Sequence, residues 1–591
     1  MKNKLKNFWC YQYTTLTGKK VTSLKPIFKH LGILLLLLAI VGVWASFSWG
    51  INTSPFAWKN FVTKLGKLFE FSSESTFYSK HYVVNLWSES LTALFQTLKY
   101  VIVGTFLGFL LAIISATGTN QTYHSRLYSS IIRNFILVLR AMPELIFITF
   151  FTNIFEAYFS LMLIFMWFSW LWLHKYYIEI INNLDIRPYL VAKSQGASTW
   201  KAFTKEVWPR IQSRYFALFL YSIESNLRWA TVLSTLGVSG IGKFIYYAGN
   251  SSANFGELGV PLLLLTIAII VLEVINILCK KYLFETKTKK IKTALLELTN
   301  REELYTRLAK GPNFKKIISS ILVLSIALFT IVTLALSDTV LRSPEYAKAM
   351  LKAIFTPALG YTQVSMWTQI WQLLQFAVGS VAVMLLFSYL TLPFCSTKLF
   401  GTRVAFAMRT ITSIFRVIPL IIYFFLFNSI FNSNLLILML FVGLHQSTSY
   451  VKQLWDLVDS LDEEIIRNLK LQNYTRLMIY RRYMLPAVRN DYVSLLLLYF
   501  EIAFRDAITY STLTLDGLNF GKNISIAMNP QAFKPQQAAA YLWIATALIL
   551  VINLSASALN RYLTKGKQAF KIKNLTLLKF WKRTKKCHKV I

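Results

Sequence analysis

Residues 189–209 read YLVAKSQGASTWKAFTKEVWP, and residues 466–486 read IRNLKLQNYTRLMIYRRYMLP. Each has the pattern of a short helix, a break at Gly196 or Asn473, and a second amphipathic helix predicted to stop at Pro209 or Pro486. Asparagine tolerates the left-handed backbone that such a bend requires, so Asn473 can stand where the first stretch has glycine. Found once, such a stretch would be an ordinary solvated loop. Found twice in register, it marks a repeated device, and its place in the chain decides the architecture.

The two stretches belong to a long internal repeat. Leu184-Asp185 returns as Leu461-Asp462, Pro209 as Pro486, Glu224 as Glu501, Arg228 as Arg505 and Gly240 as Gly517. Arg133, Arg140 and Pro143 likewise match Arg409, Arg416 and Pro419. Around these landmarks lie apolar runs such as LGILLLLLAIVGVWASFSW, residues 31–49. A helix of about 20 such residues crosses about 30 Å of hydrocarbon. The chain is 55% hydrophobic and only 15% charged, which excludes an ordinary soluble enzyme. An all-α integral membrane protein is expected, with about twelve transmembrane helices in two parallel six-helix repeats.

The predicted spans are 31–50, 91–115, 134–155, 157–175, 214–235 and 259–279, then 317–337, 369–394, 410–428, 433–450, 491–513 and 538–560. They divide the chain into a basic N-terminus (1–30), a first unit (31–279), a linker (280–316), a second unit (317–560) and a tail (561–591). Six spans separate equivalent residues, so both units have the same orientation. That implies a pseudo-twofold axis along the membrane normal and a pathway between the halves.

The net charge of +37 raises the question of nucleic acid, and its distribution argues against it. Lys and Arg crowd the linker and the tail, and the tail holds no acidic residue, whereas residues 51–90 are nearly balanced. Alternate loops rich in basic residues are the positive-inside pattern. It places the N-terminus, linker and tail on the cytosolic side of the plasma membrane, where they also attract anionic lipid. Nucleic acid is not an expected partner. The cysteines, Cys10, Cys279, Cys395 and Cys587, form no CxxC pair, so neither disulfide nor zinc is expected. On the outer side, SPFAWKNFVTKLGKLF (54–69) and SPEYAKAMLKAIF (343–355) each offer a Ser N-cap, a Pro at N1 and an amphipathic run, readable as interfacial helices.

The helix–break–helix stretch resembles the E-A-A-x3-G-x9-I-x-L-P loop of binding-protein-dependent ABC transporter permeases. Ala192, Gly196 and Pro209 match in the first half, and Leu485 and Pro486 in the second; Leu190 and Arg467 stand where the family has Glu. LRAMPEL, with YSIESNLRWATVLSTLGVSGIG after the loop, is similar to the phosphonate-type subfamily. The fused two-unit form resembles the large permease of the three-part high-affinity transport system of wall-less bacteria. The resemblance implies a type I importer fold and loops, with Trp200 and Asn473 among their residues, that dock a dimer of ATPase subunits. It implies a lipid-anchored extracellular binding protein as the second partner. ATP and Mg²⁺ would belong to the ATPase, leaving this chain without cofactor, metal or catalytic residues. The resemblance implies a small anionic solute such as a phosphonate, a phosphate ester or a thiamine-phosphate-like molecule.

Glu224 and Arg228, repeated as Glu501 and Arg505, sit at i,i+4 inside predicted spans. An isolated charge at the bilayer centre costs about 2.5–3.5 kcal/mol on insertion scales, so each pair needs a shared reason to be there. Mutual neutralisation is one reading. The other is that the helices line the pathway and the arginines take an anionic group of the solute. Arg140 and Arg416 either add positive field at the cytosolic mouth or snorkel to headgroups, and snorkelling is favoured. Asp506 corresponds to Trp229, so the halves differ around the pathway. His174 and His445 are expected at the interface, and MWFSWLWL (166–173) to face lipid or form an aromatic belt, not a cofactor box.

GVSGIGKF (237–244) nearly spells a phosphate-binding loop, but Phe244 cannot place a hydroxyl on Mg²⁺. The topology puts Gly237, Gly240 and Gly242 after an outward-running span, with Gly517 as counterpart, so these glycines read as an outer gate turn. A proton-coupled secondary transporter with two parallel six-helix halves is the alternative reading; it has no need of paired docking loops.

Overall fold

The computed structural model describes residues 10–14, 20–24, 26–45, 50–79, 82–234, 236–279, 282, 314–514 and 517–565. Most of the expected linker and tail, and residues 1–9, lie outside the described residues. The first unit holds α1 (Pro26–Ala45), α2 (Pro55–Lys67), α3 (Leu86–Gly118), α4 (Arg126–Ala141), α5 (Glu144–Ile154), α6 (Ala157–Asn182), α7 (Arg187–Ser194), α8 (Trp208–Ser234), α9 (Ile241–Asn250) and α10 (Gly259–Cys279). The second repeats the order as α11 (Phe314–Leu336), α12 (Pro344–Phe355), α13 (Met366–Cys395), α14 (Thr402–Val417), α15 (Leu420–Phe427), α16 (Asn434–Asp459), α17 (Glu463–Leu471), α18 (Arg489–Tyr510), α19 (Asn519–Ala527) and α20 (Pro535–Lys565). Two antiparallel hairpins, β1 (Cys10–Thr14) with β2 (Lys20–Leu24) and β3 (Glu74–Ser79) with β4 (Tyr82–Asn85), depart from the all-helical expectation.

By length and apolar composition, seven helices among the described residues are candidate membrane spans, or nine if each of two bent pairs counts as one. Helices α8 and α18 occupy expected span positions without qualifying. The expected spans 134–155 and 410–428 are not straight: α4 meets α5 at 84°, and α14 meets α15 at 78°. Proline is the cause, because Pro143 and Pro419 hold Met142 and Ile418 in extended backbone.

Side-chain register sets the directions. Gly104 and Gly108 of α3 lie against Met162 and Met166 of α6, while Ser115 meets His174 and Asn120 meets Asn182. Helices α3 and α6 therefore run parallel, and the bent pair between them carries the chain back from one end of the bundle to the other. In the second unit, Gly379 against Met439 and Ser396 against Asp459 fix the same arrangement of α13 and α16. Helix α8 is antiparallel to α6: Tyr177 and Tyr215 exchange hydroxyl-to-carbonyl bonds, and Asn226 donates to Ser169 and Thr105.

The amphipathic helices do more than lie on an interface. Ser54 caps α2 as expected, but Ser343 makes no side-chain cap bond to α12. Each helix docks on the opposite unit. Lys64 of α2 is buried and donates to Phe425 O and Asn428 Oδ1 at the end of α15. Desolvation lowers the pKa of its ammonium. Tyr346 of α12 donates to Met528 O and accepts from Asn153 of α5.

In lipid, close packing at small residues holds helices together. A Cβ added at Gly108 would lie 2.5 Å from Met166 O, whereas one at Gly66 of α2 would meet nothing within 4 Å. Gly108→Val should cost about 1–3 kcal/mol through overpacking, and Gly66→Ala should leave stability within about 1 kcal/mol or raise it. Thermal unfolding followed by size-exclusion chromatography reads both.

Candidate functional site

The two repeated loops form one end of the bundle. After α7, Gly196 takes φ +87° and Ala197 N–H bonds back to Ala192 O; after α17, Asn473 takes φ +63° and Tyr474 N–H bonds to Leu469 O. These are matching left-handed helix ends, so Asn473 does what Gly196 does. The chain restarts at once, with the hydroxyls of Ser198 and Thr475 capping the next turn.

The expectation that this second helix stops at proline is corrected. Thr199–Ala202 passes into a π-helical turn, Phe203–Val207, and then directly into α8, with Pro209 in its first turn. Arg476–Ile479 passes through a π turn at Tyr480–Met484 into Leu485–Ala487, which carries Pro486, before α18. Proline removes a donor and clashes with the carbonyl four residues earlier; widening the preceding turn relieves that conflict without ending the helix. Ala192 and Leu485 are half-buried against the core. Trp200 is 76% exposed, and the equivalent Leu477, with Leu190, Val191 and Leu471, is exposed too. At the loop entrance Arg187 grips Asp185 with two nitrogens, holding its carboxyl well below the usual range, at about 2. Asp462 instead caps α17.

The glycine turns lie at the opposite end. Gly240 has φ +130°, and Thr97 Oγ1 accepts from Ile241 N–H at 3.0 Å to start α9. A Cβ at Gly242 would press on Ala230 O, and one at Gly517 on Leu435. Gly237 is exposed in the turn. Phe244 is buried and packs on Phe77, so no phosphate cradle forms. Helix α9 meets α15 of the other unit, where Gly249 abuts the Phe425 ring. Past α19, Met528 meets Thr149 and Asn153 of α5.

Between these two ends lie the charges. Arg228 bonds Glu224 and Arg505 bonds Glu501, each at 2.6 Å, with both carboxylates buried. Neutralisation within each pair therefore holds, but the pairs are not isolated. Arg416 is 1% exposed; its Nη2 lies 2.5 Å from Glu273 of α10 and 3.9 Å from Glu224, both in the other unit. Lys452 also reaches Glu273, at 3.4 Å. The snorkelling expectation fails for Arg416, because first-unit carboxylates offer better partners than headgroups.

These residues surround space between the halves. A cavity of about 510 Å³ is lined by Arg228, Arg416 and Lys452 together with Trp172, Tyr176 and Tyr221. A second, of about 250 Å³, is lined by Arg140, Glu144, Lys175, Glu501 and Arg505. The two share Trp172, Tyr176 and Trp229. Thus Arg140 of the first unit faces the ion pair of the second, and Arg416 of the second faces that of the first. Asp506 lines the larger lobe and accepts from Gln446 at 2.8 Å.

Several residues escaped the sequence reading. Lys175 and Lys452 hold equivalent repeat positions, and that register was the signal available. Glu273 and Glu144, acidic residues inside or beside apolar runs, were legible by the same rule that singled out Glu224. Trp167 and Trp172 face the cavity and not lipid. His174 is buried against Ser115, and His445 half-buried beside Arg416 O, so neither is interfacial; both have polar partners that make burial tolerable.

Comparison with known proteins identifies the family. The model of the binding-protein-dependent transport system inner membrane component family matches twice, at residues 104–284 and 394–568. The chain is 26% identical over 465 residues, 78% of its length and 82% of the relative's, to the ABC transport system permease protein p69 of Mycoplasma pneumoniae. It is 25% identical over 71% of its length to the protein of the same name from Mycoplasma genitalium, covering 76% of that relative. A shorter stretch, 25% of this chain and 28% of the relative, is 28% identical to the phosphate-import permease protein PhnE of Mycolicibacterium smegmatis. No solved structure matches. The chain belongs to the binding-protein-dependent transport system inner membrane component family, the ABC transporter permeases, and carries two copies of the permease unit in one polypeptide.

Proposed function

We propose that this permease crosses the membrane twelve times with both termini in the cytosol and imports a small anionic solute. An extracellular, lipid-anchored binding protein delivers the solute at the glycine-turn end, and a dimer of ATPase subunits docks on the two loops at the other. The solute is of the phosphonate, phosphate-ester or thiamine-phosphate type. The observation that carries this reading is the cavity between the halves, where three cations, Arg228, Arg416 and Lys452, stand opposite an aromatic wall. The relative whose name specifies phosphate import favours the same class. With the family match, the secondary-transporter reading has no support left.

The coupling argument is mechanical. One helical run, from Thr199 through the π turn and α8 to Ser234, joins the exposed Trp200 to the Glu224–Arg228 pair and the gate turn. Closure of the ATPases against Trp200 and Leu477 would tilt α8 and α18 as levers. The apolar exposure of Trp200 and Leu477 fits a protein partner, because interface cores draw on aromatic and aliphatic anchors of this kind.

Two outcomes follow. The double substitution Trp200→Ala, Leu477→Ala should cut solute-stimulated ATPase activity of the purified complex at least tenfold while leaving the melting temperature of this chain unchanged; wild-type coupling in that variant would refute the docking assignment. Asn473→Gly should keep activity within twofold of wild type, because the backbone there is already left-handed, whereas Gly196→Val should reduce co-purifying ATPase through strain in the same bend.

A further inference from the structure

The two lobes of the central cavity are not equivalent. Arg416 uses Nη2 on Glu273, while its Nε and Nη1 are buried and have no hydrogen-bond partner. A guanidinium offers five N–H donors, and buried donors of a charged group are seldom left open. Arg416 lines the larger lobe, and its two unpartnered nitrogens lie just beneath the surface of a cavity that can hold a ligand. The repeat does not copy this arrangement: the residue 277 positions after Glu273 is Leu550, and Arg140 has no ion pair within 4 Å among the described residues.

We propose that the larger lobe is an asymmetric binding site for the oxyanion head of an organic phosphonate or phosphate monoester, seated on Arg416 with Lys452 beside it. Glu273 is the resident counterion with which that head competes. This rests on the importer reading above and assigns the solute contact within it. The head takes the ammonium of Lys452, whose Nζ now lies 3.4 Å from Glu273, and draws the buried open donors of Arg416 outward onto itself. Oxyanions suit such donors because charge-assisted bonds are short and strong. The organic body lies on the wall formed by Trp172, whose ring centroid is 4.6 Å from that of Tyr176 and 5.8 Å from that of Tyr221. A volume of about 510 Å³ leaves room for a body as well as a head. Competition from Glu273 keeps occupancy weak, as a pathway site requires if the solute is to leave.

The test is a fluorescence titration of the whole complex, this chain with its co-purifying ATPase, in phosphatidylcholine nanodiscs at fixed ionic strength. Phenylphosphonate is the probe, and Trp172 and Trp229 are the reporters. Wild type should show a saturable change. Arg416→Gln and Lys452→Gln should weaken it at least tenfold, Glu273→Gln should tighten it at least threefold, and the exposed-lysine control Lys348→Gln should match wild type. A purely structural ion pair predicts the opposite sign for Glu273→Gln, since removing a counterion would then loosen the lobe. No saturable change in wild type, unaltered binding in Lys452→Gln, or weaker binding in Glu273→Gln overturns the proposal. If Arg416→Gln does not fold, the opposite signs at Lys452 and Glu273 still decide. Phosphatidylglycerol discs that suppress the wild-type signal without added competitor would assign the site to a lipid headgroup and overturn the solute assignment. A complex that keeps its ATPase yet fails these tests loses this site only; a chain that recruits no ATPase loses the importer reading.

Discussion

A charge carried into hydrocarbon must meet a partner there, and this requirement organises the molecule. Burying an ion is costly unless geometry and hydrogen bonding repay it. Here the repayment crosses between units: Arg416 of the second meets Glu224 and Glu273 of the first. A chain that satisfies these contacts must bring α8 and α10 against α14 and α16, and the space left between them is the central cavity. The central cavity and the ion-pair network are thus one feature. Loss of Glu273 would leave both Arg416 and Lys452 without their nearest carboxylate, and breaking one partner of a buried pair typically costs about 3–5 kcal/mol.

The second constraint is helix continuity. Backbone groups inside a membrane must be satisfied internally. The π turns before Pro209 and Pro486 keep a helical path through a residue that would ordinarily end one. The bent pairs α4–α5 and α14–α15 take the opposite course, breaking at Pro143 and Pro419 so that short half-helices meet the helices after the glycine turns of the other unit. The helical path is continuous into α8 and is interrupted only at Val488 before α18, whereas α5 and α15 are set off by sharp bends. Both are written with the same residue, and the preceding turn decides which results.

Much of this was legible in the residues. The register of Glu224 with Glu501 and of Gly196 with Asn473 is visible in the letters, because periodic charge in apolar runs and left-handed helix ends have local causes. So was the placement of the glycine turn opposite the repeated helix–break–helix loops, since it follows from counting crossings. What was not legible depends on tertiary partners. Snorkelling was reasonable for Arg416 until Glu273 appeared beside it; that contact spans 143 positions of sequence. The lipid-facing reading of MWFSWLWL failed because aromatic side chains serve lipid and cavity walls equally well. Proline as a stop signal failed because the π turn that rescues it has no residue signature of its own.

The central claim is that two units stand parallel, with both helix–break–helix loops at one membrane face and both glycine turns at the other. Single cysteines at positions 200, 477, 243 and 522, in a chain with Cys10, Cys279, Cys395 and Cys587 replaced, test it in intact cells with a membrane-impermeant thiol reagent. Residues 243 and 522 should label from outside, and 200 and 477 only after permeabilisation. Labelling of 200 and 477 from opposite faces would mean inverted units and would contradict the account.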